Sequence, residues 1–232
     1  MDNNTLQLKF QGRLNKLASQ DYDNLECWQI AEAFNKAQLE WTRRQIAGLN
    51  QRQVADEGDK QIKEDLQVLY SEKSLDFVLH PDYAETEKFP EDYHLTKRVD
   101  VKAKSSCCGA RPMRVYPCAT SDVTARLRDE NARPDFEWAE TFYTLGGNRL
   151  RVYRTADFDI SEIRLTSYHK PREVSFLGCI STKTGLPLPD VTCEFRDDVT
   201  EIIIDEAVST LAGDIENQLQ MQRSKQAATS NT

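Results

Sequence analysis

Residues 197–222, DDVTEIIIDEAVSTLAGDIENQLQMQ, decide how this chain folds. Val199, Ile203, Ala207, Leu211, Ile215 and Leu219 follow one another at four-residue steps, and Ile202, Val208 and Ala212 widen the stripe. That period lays one apolar face along a helix while Glu201, Asp205, Asp214 and Glu216 point elsewhere. Asp198, followed three residues on by Glu201, has the form of a capping box. A helix of this kind needs an apolar surface to pack on, and the helical segments at the other end of the chain can supply it. Both ends are therefore expected to share one bundle.

Working back to the start, Leu6, Phe10, Leu14 and Leu17 mark a short helix, broken by residues 19–23. From Asn24 to about Ile46 the positions Ile30, Phe34, Ala37 and Trp41 recur at helical steps, flanked by Leu25 and Trp28, with Gly48 as the stop. Ile62, Leu66 and Leu69 mark a third helix after the polar joint 56–59. After Ser74 the period changes from helical to alternating. Residues 75–79 form a short apolar run, and Leu95, Val99, Val101 and Ala103 alternate with polar neighbours as in a half-buried strand. Met113 and Val115 indicate another strand. Residues 138–145 and 149–153 flank Gly146-Gly147-Asn148 as a hairpin, and Ile163, Leu165 and Ser167 share one face of a further strand. Residues 121–128 are predicted to be a small helix capped by Ser121. The fold class is thus α+β: a bundle of N- and C-terminal helices around an intervening antiparallel β-region. The divisions are 1–74 (helices), 75–190 (β-rich), 191–221 (closing helix) and 222–232 (flexible tail).

Composition narrows the function classes. The 232 residues carry 30 Lys plus Arg against 38 Asp plus Glu, a net charge of −8, which argues against a general basic coat for wrapping nucleic acid. The charge is segregated: residues 96–196 hold 17 basic and 13 acidic side chains, so the acidic excess lies in the flanks. No apolar run approaches the ~18 residues of a membrane span, and MDNNTLQLKF lacks the regions of a signal peptide, so the chain is expected to stay in the cytoplasm where it is made. On that basis Cys27, Cys107, Cys108, Cys118, Cys179 and Cys193 are expected to be reduced thiols, with Cys179 and Cys193 acting as small buried hydrophobes.

Three chemical readings compete with an interaction role. Pro81-Asp82 followed by Asp100-Val101-Lys102 loosely matches a PD-(D/E)xK nuclease, which needs carboxylates on a divalent ion and a lysine beside the phosphate. The gap is long, and Asp82 sits in an acidic, Tyr-rich stretch that suits a loop better than a catalytic strand. Cys107-Cys108 with Cys118 and His94 raises a zinc module, but adjacent cysteines on a strand project apart where zinc ligands are usually spaced by two to four residues. For a cysteine nucleophile, His80, His94 and His169 are available bases, none within a recognisable local signature. Gly146-Gly147-Asn148 joins two strands, with no following helix to offer free amides to a phosphate. No catalytic residue, cofactor or metal is therefore expected. Alternation puts Arg149, Arg151 and Tyr153 on one strand face, which suits a protein interface better than DNA.

Several stretches carry a family likeness. NKAQLEWTRRQIAGLNQ (35–51), EGDKQIKEDLQVLY (57–70), FEWAETFYTLGGNRLRVY (136–153), SYHKPREV (167–174) and CEFRDDVTEIIIDEAVSTLAGDIEN (193–217) resemble a ring protein of the neck and tail of crAss-like, short-tailed bacteriophages. More distantly, terminal helices bracketing a β-region, with a Tyr-x-Lys-Pro strand end before the long helix, are similar to podovirus head-to-tail adaptor or tail tubular proteins. The resemblance implies a dodecameric ring on the portal or a neighbouring ring, genome passing through it without sequence-specific binding, and a place in the virion with no catalytic residues. The residues expected at partner interfaces are Trp41, Arg43, Arg44, Arg149, Arg151, Tyr153, Tyr168, Lys170 and Pro171.

Overall fold

In the computed structural model, residues 1–15, 25–49, 63–106, 108–181, 184–214 and 226 are described. They divide into two compact units, one of Met1–Leu69 with Lys170–Thr232 and one of Tyr70–His169. The fold is mixed α+β. The division differs from the sequence expectation at both seams, since residues 70–74 form a strand and residues 170–190 belong with the helices.

The helical unit is built on α1 (Asn3–Leu14), α2 (Cys27–Ile46) and a C-terminal helix, α4 (Asp197–Asp214). The Asp2 carboxylate caps α1 by accepting from the Thr5 amide at 2.6 Å, and Leu6, Phe10 and Leu14 are buried at its helical spacing. On α2 the predicted positions Ile30, Phe34, Ala37 and Trp41 are all buried, and Gly48 stops the chain with φ of +69°. Both helices meet α4. On α4 the buried stripe is Val199, Ile203, Ile204, Ala207, Val208 and Ala212, whereas Ile202 and Leu211 are only half-buried, so the apolar face is rotated towards Ile204. Glu201 does not close a capping box: it is taken by Lys9 and Arg13 of α1, and Arg13 also reaches Asp205 at 2.7 Å. Arg44 of α2 pairs with Glu206. Leu66 and Leu69 are buried as expected, with residues 67–69 in a 3₁₀ turn. Leu17, Ile62, Ile215, Leu219 and the proposed tail after Gln222, Gln226 apart, lie outside the described residues.

The second unit is one eight-stranded sheet ordered β1-β8-β4-β5-β6-β7-β3-β2. Its strands are β1 (Tyr70–Ser74), β2 (Phe77–Leu79), β3 (Tyr83–Thr86), β4 (Tyr93–Ser105), β5 (Cys108–Pro117), β6 (Glu140–Gly146), β7 (Arg149–Tyr153) and β8 (Asp159–His169). β1 and β2 are the two edges, yet only Leu75 and Asp76 separate them. Three residue steps span at most about 11 Å, so the sheet has to curl until its edges meet at that corner. Leu75 continues the β1 pairing by donating to Ile163 O at 2.9 Å, and Asp76 O accepts from Glu87 N at 3.0 Å, so residues 70–79 behave as one bent strand that serves both edges. Inside the curl lie Ala84, Val99, Val101, Ala103, Met113, Leu150, Val152, Ile160, Ile163 and Leu165, closed by Phe89, Phe136 and Phe158.

The pairing is antiparallel with one exception to the sequence reading: β5 and β6 run parallel. Parallel neighbours need a crossover, and residues 118–139, which include the short helix α3 (Val123–Arg128), provide it. Ser121 does not cap that helix, since its hydroxyl donates to the Asp122 carboxylate. β6 and β7 form the predicted hairpin, and Gly147 and Asn148 both sit at φ +60°, the conformation that a two-residue type I′ turn requires. Leu95 departs from the predicted alternation and is exposed, because β4 shifts register twice between Tyr93 and Arg98. No helix among the described residues is long and apolar enough to cross a membrane.

Candidate interaction surfaces

In the helical unit, the described residues of 170–196 carry almost no regular structure, so their backbone groups need other partners. Side-chain amides on the helices supply them. Asn35 of α2 pairs twice with Val174, donating to its carbonyl at 2.9 Å and accepting from its amide at 2.7 Å. Gln38 donates to Arg172 O at 2.8 Å, and Asn3 of α1 donates to Ser175 O at 3.0 Å and Val191 O at 3.1 Å. Ser175 bridges to Val191, and Ile180 to Pro187, so the segment doubles back on itself. A disulfide joins Cys179 to Cys27 at the start of α2, with Cα atoms 5.9 Å apart and a sequence separation of 152. The expectation of reduced thiols is thus wrong for this pair: the fold brings the two sulfurs together across a sequence distance that no local spacing reveals.

This anchored segment presents its apolar side chains to solvent. Leu177, Ile180 and Leu186 are 80%, 61% and 65% exposed, although the neighbouring Val174, Phe176 and Cys179 are buried. Exposed large apolar groups gathered on one short, well-anchored segment make it a candidate contact surface.

On the sheet unit, β6, β7 and β3 present a mixed aromatic and charged outer face. Phe142 stacks on Tyr153 with ring centres 4.7 Å apart, Tyr83 lies 6.1 Å beyond Tyr153, and His80 stacks on Tyr83 at 4.6 Å. Glu85 accepts from Arg149 at 3.0 Å and from Arg151 at 2.7 Å, and Arg151 also covers the Tyr83 ring. The two guanidinium groups, Arg151 first, hold the Glu85 carboxyl below its ordinary range. A second outer face, on β1, β8 and β4, forms a groove of about 290 Å³. In it Arg164 pairs with Glu72 and Glu162, Lys102 with Glu162, and Arg98 with Asp100. Each cation there meets a carboxylate of its own chain, which makes the groove a neutral lattice.

These contacts reassign most of the predicted interface residues. Trp41 is 2% exposed and packs edge-on against Phe195 at 5.2 Å, so it is core. Arg44 is held by Glu206, while Arg43 is exposed. Arg149 and Arg151 are engaged by Glu85, and Tyr153 is buried under Phe142, so the three do not form an open face. Tyr168 is buried opposite Tyr70 with the Lys97 ammonium over both rings. Pro171 is buried and Lys170 exposed. Near β6, α3 places Arg126 over the Phe142 ring, which covers the outer side of that strand.

The residues of the nuclease reading do not converge. Asp82 lies in the exposed turn between β2 and β3, Asp100 is paired with Arg98, and Lys102 with Glu162. For zinc, Cys108 is exposed, Cys118 half-buried, and Cys107 outside the described residues; among the described residues no group of three or more His, Cys, Asp or Glu side chains is placed to hold a metal ion. Sequence reasoning missed Leu177, Ile180 and Leu186. The signal was present in SFLGCISTKTGLPLPD, where apolar residues alternate with Gly and Pro too closely for a strand or helix. No protein-family model matches this chain, and no curated protein matches it.

Proposed function

We propose that this chain is a structural subunit of a virion: one copy in a closed, dodecameric ring that connects portal and head to tail in a crAss-like, short-tailed bacteriophage, with the genome passing through the ring. In this reading α1, α2 and α4 form the subunit's helical bundle. The partners are further copies of the chain, the portal protein and a neighbouring ring or tail protein. The observation that carries the reading is the apolar projection of Leu177, Ile180 and Leu186, held in place by Asn3, Asn35, Gln38 and the Cys27–Cys179 bond. A surface that is both apolar and anchored suits a lasting contact between proteins, and lateral contacts in a ring are heterologous, pairing a projection on one subunit with a different surface on the next. The sequence stretches that resemble neck and tail ring proteins support the same class.

Electron microscopy of the parent particle tests the reading. A closed neck ring containing this protein is the expected result, with co-purification of portal and subunit as the biochemical counterpart. A particle whose neck contains no ring of this protein rules the reading out, and Mg²⁺-dependent cleavage of plasmid DNA that disappears in Asp100→Ala replaces it with the nuclease.

A further inference from the structure

The Cys27–Cys179 bond joins two groups of unequal accessibility. Cys179 is 2% exposed, whereas Cys27 is half-buried at the first position of α2. Of the two residues, Cys27 is the one with surface open to a small thiol from solvent. The first turn of a helix also favours a thiolate over a thiol, so in the open form Cys27 is the better nucleophile of the two. The bond is placed where it matters for the surface described above, since Cys179 lies between Leu177 and Ile180. Its amide and carbonyl are bonded within the same segment, to Phe176 O at 3.1 Å and from Leu188 N at 2.8 Å. The amide contacts of Asn3, Asn35 and Gln38 all fall at residues 172–175 or 190–193, near the base. Among these contacts, the disulfide is the one that fastens the outer part to a helix.

We propose that Cys27 and Cys179 form a redox-operated lock on this apolar segment, open in a thiol-rich compartment and closed in an oxidising one. Closure is thiol–disulfide exchange with a low-molecular-weight disulfide. The Cys27 thiolate attacks it, forming a mixed disulfide and releasing one small thiol; the Cys179 thiol then loses its proton, attacks the Cys27 sulfur, and releases the second. One external disulfide is reduced to two thiols as one protein disulfide forms. Opening is the reverse, beginning with attack on the Cys27 sulfur. The inference does not depend on what partner the segment meets.

The full chain, equilibrated in buffers of reduced and oxidised glutathione, is trapped with an alkylating agent under denaturing conditions and weighed by mass spectrometry. The expected result is loss of two alkylation sites as the buffer becomes oxidising, with the 27–179 peptide pair linked in the digest. The oxidised protein is expected to melt about 5–10 °C above the reduced one, a gap that vanishes in Cys27→Ser/Cys179→Ser, which melts with the reduced parent. Three outcomes overturn the proposal: no linked 27–179 peptide in any buffer; a bond that persists at a cytoplasmic glutathione ratio, which makes it a permanent staple; or a melting gap that remains in the double variant. Should that variant fail to fold, Cys27→Ala alone gives the same readout, because either change removes the bond.

Discussion

Arg151 donates to Glu85 across the β7–β3 pair at 2.7 Å, and the two residues stand directly opposite each other in the ladder. A guanidinium that the sequence offers to a partner is thereby committed to its own sheet, and Arg149 commits to the same carboxylate.

Glu85→Gln should lower stability at neutral pH. Its carboxyl is held below the ordinary value of 4.5 by Arg151 and then Arg149, so its share of stability is whole above pH 4.5 and is lost as pH falls through the lowered value. Parent and variant should therefore differ at pH 7 and converge in acid, as read by denaturant melts across that range. Reversing both arginines, Arg149→Glu with Arg151→Glu, puts three carboxylates on neighbouring strands and should lower the melting point of the isolated subunit; an unchanged melt shows that the ion pairs are not maintained in solution.

Glu206 behaves in the opposite sense. Burial pushes its carboxyl above 4.5 against the pull of Arg44, so the protonated form favours the folded state: that contribution is whole below pH 4.5 and is lost as pH rises through the raised value. Asp65 is likewise raised by burial, opposed by Arg196. Glu206→Gln should match or exceed the parent at pH 8, whereas Arg44→Ala, which leaves the buried carboxylate unpaired, should cost about 1–2 kcal/mol given the exposure of Arg44. Urea titrations at pH 5 and pH 8 decide this. A glutamine variant weaker than the alanine one contradicts the assignment.

Ile203 and Ile204 lie at the centre of α4's buried face, and Leu211 at its margin. Ile203→Ala should cost about 2–4 kcal/mol, and Ile203→Asp should abolish soluble folding. Leu211→Asp should be milder than Ile203→Asp. Circular dichroism melts rank the three, and equal damage at 203 and 211 would mean that the helix is rotated from the position described.

Asn148 occupies a left-handed conformation that a β-branched residue tolerates poorly. Asn148→Val should destabilise the sheet unit by about 1–2 kcal/mol while Asn148→Gly stays near neutral. Chemical denaturation of both variants checks this, and a valine variant as stable as the glycine one would show that the turn has another form.

Where burial follows a single period, the sequence was legible. The α1 and α2 core positions, the 146–149 turn and the alternation from Val99 to Ala103 each rest on one local rule, and each appears as read. What escaped depends on contacts far apart in sequence. The rotation of α4 towards Ile204 accompanies ion pairs of Glu201, Asp205 and Glu206 with Lys9, Arg13 and Arg44, partners that no local period reveals. Leu95 turned outwards because of bulges that pairing with β8 imposes. Phe142 and Tyr153 look outward by alternation, yet Arg126 of α3 covers Phe142 and the Phe142 ring in turn stacks on Tyr153. At the candidate surface, charge and aromaticity pointed to Arg149, Arg151 and Trp41, which the chain uses internally. Leu177, Ile180 and Leu186 carry no such flag, and their exposure follows from amide clamps and a disulfide that join residues well over a hundred positions apart.

Tyr70 stands opposite Tyr168, so the chain enters and leaves the sheet unit on two adjacent antiparallel strands. Topologically the sheet is an insertion: the residues on either side of it belong to one helical unit and could be joined by a short turn without rethreading anything. During synthesis the order is forced. All eight strands are made before α4, so the sheet can close while the chain is still growing, whereas the parts of α1 and α2 that pack on α4 stay uncovered until the last helix emerges. Those waiting faces are the stage at which a truncated or stalled chain is most prone to aggregate, and they give the C-terminal helix the final word on whether the subunit exists at all.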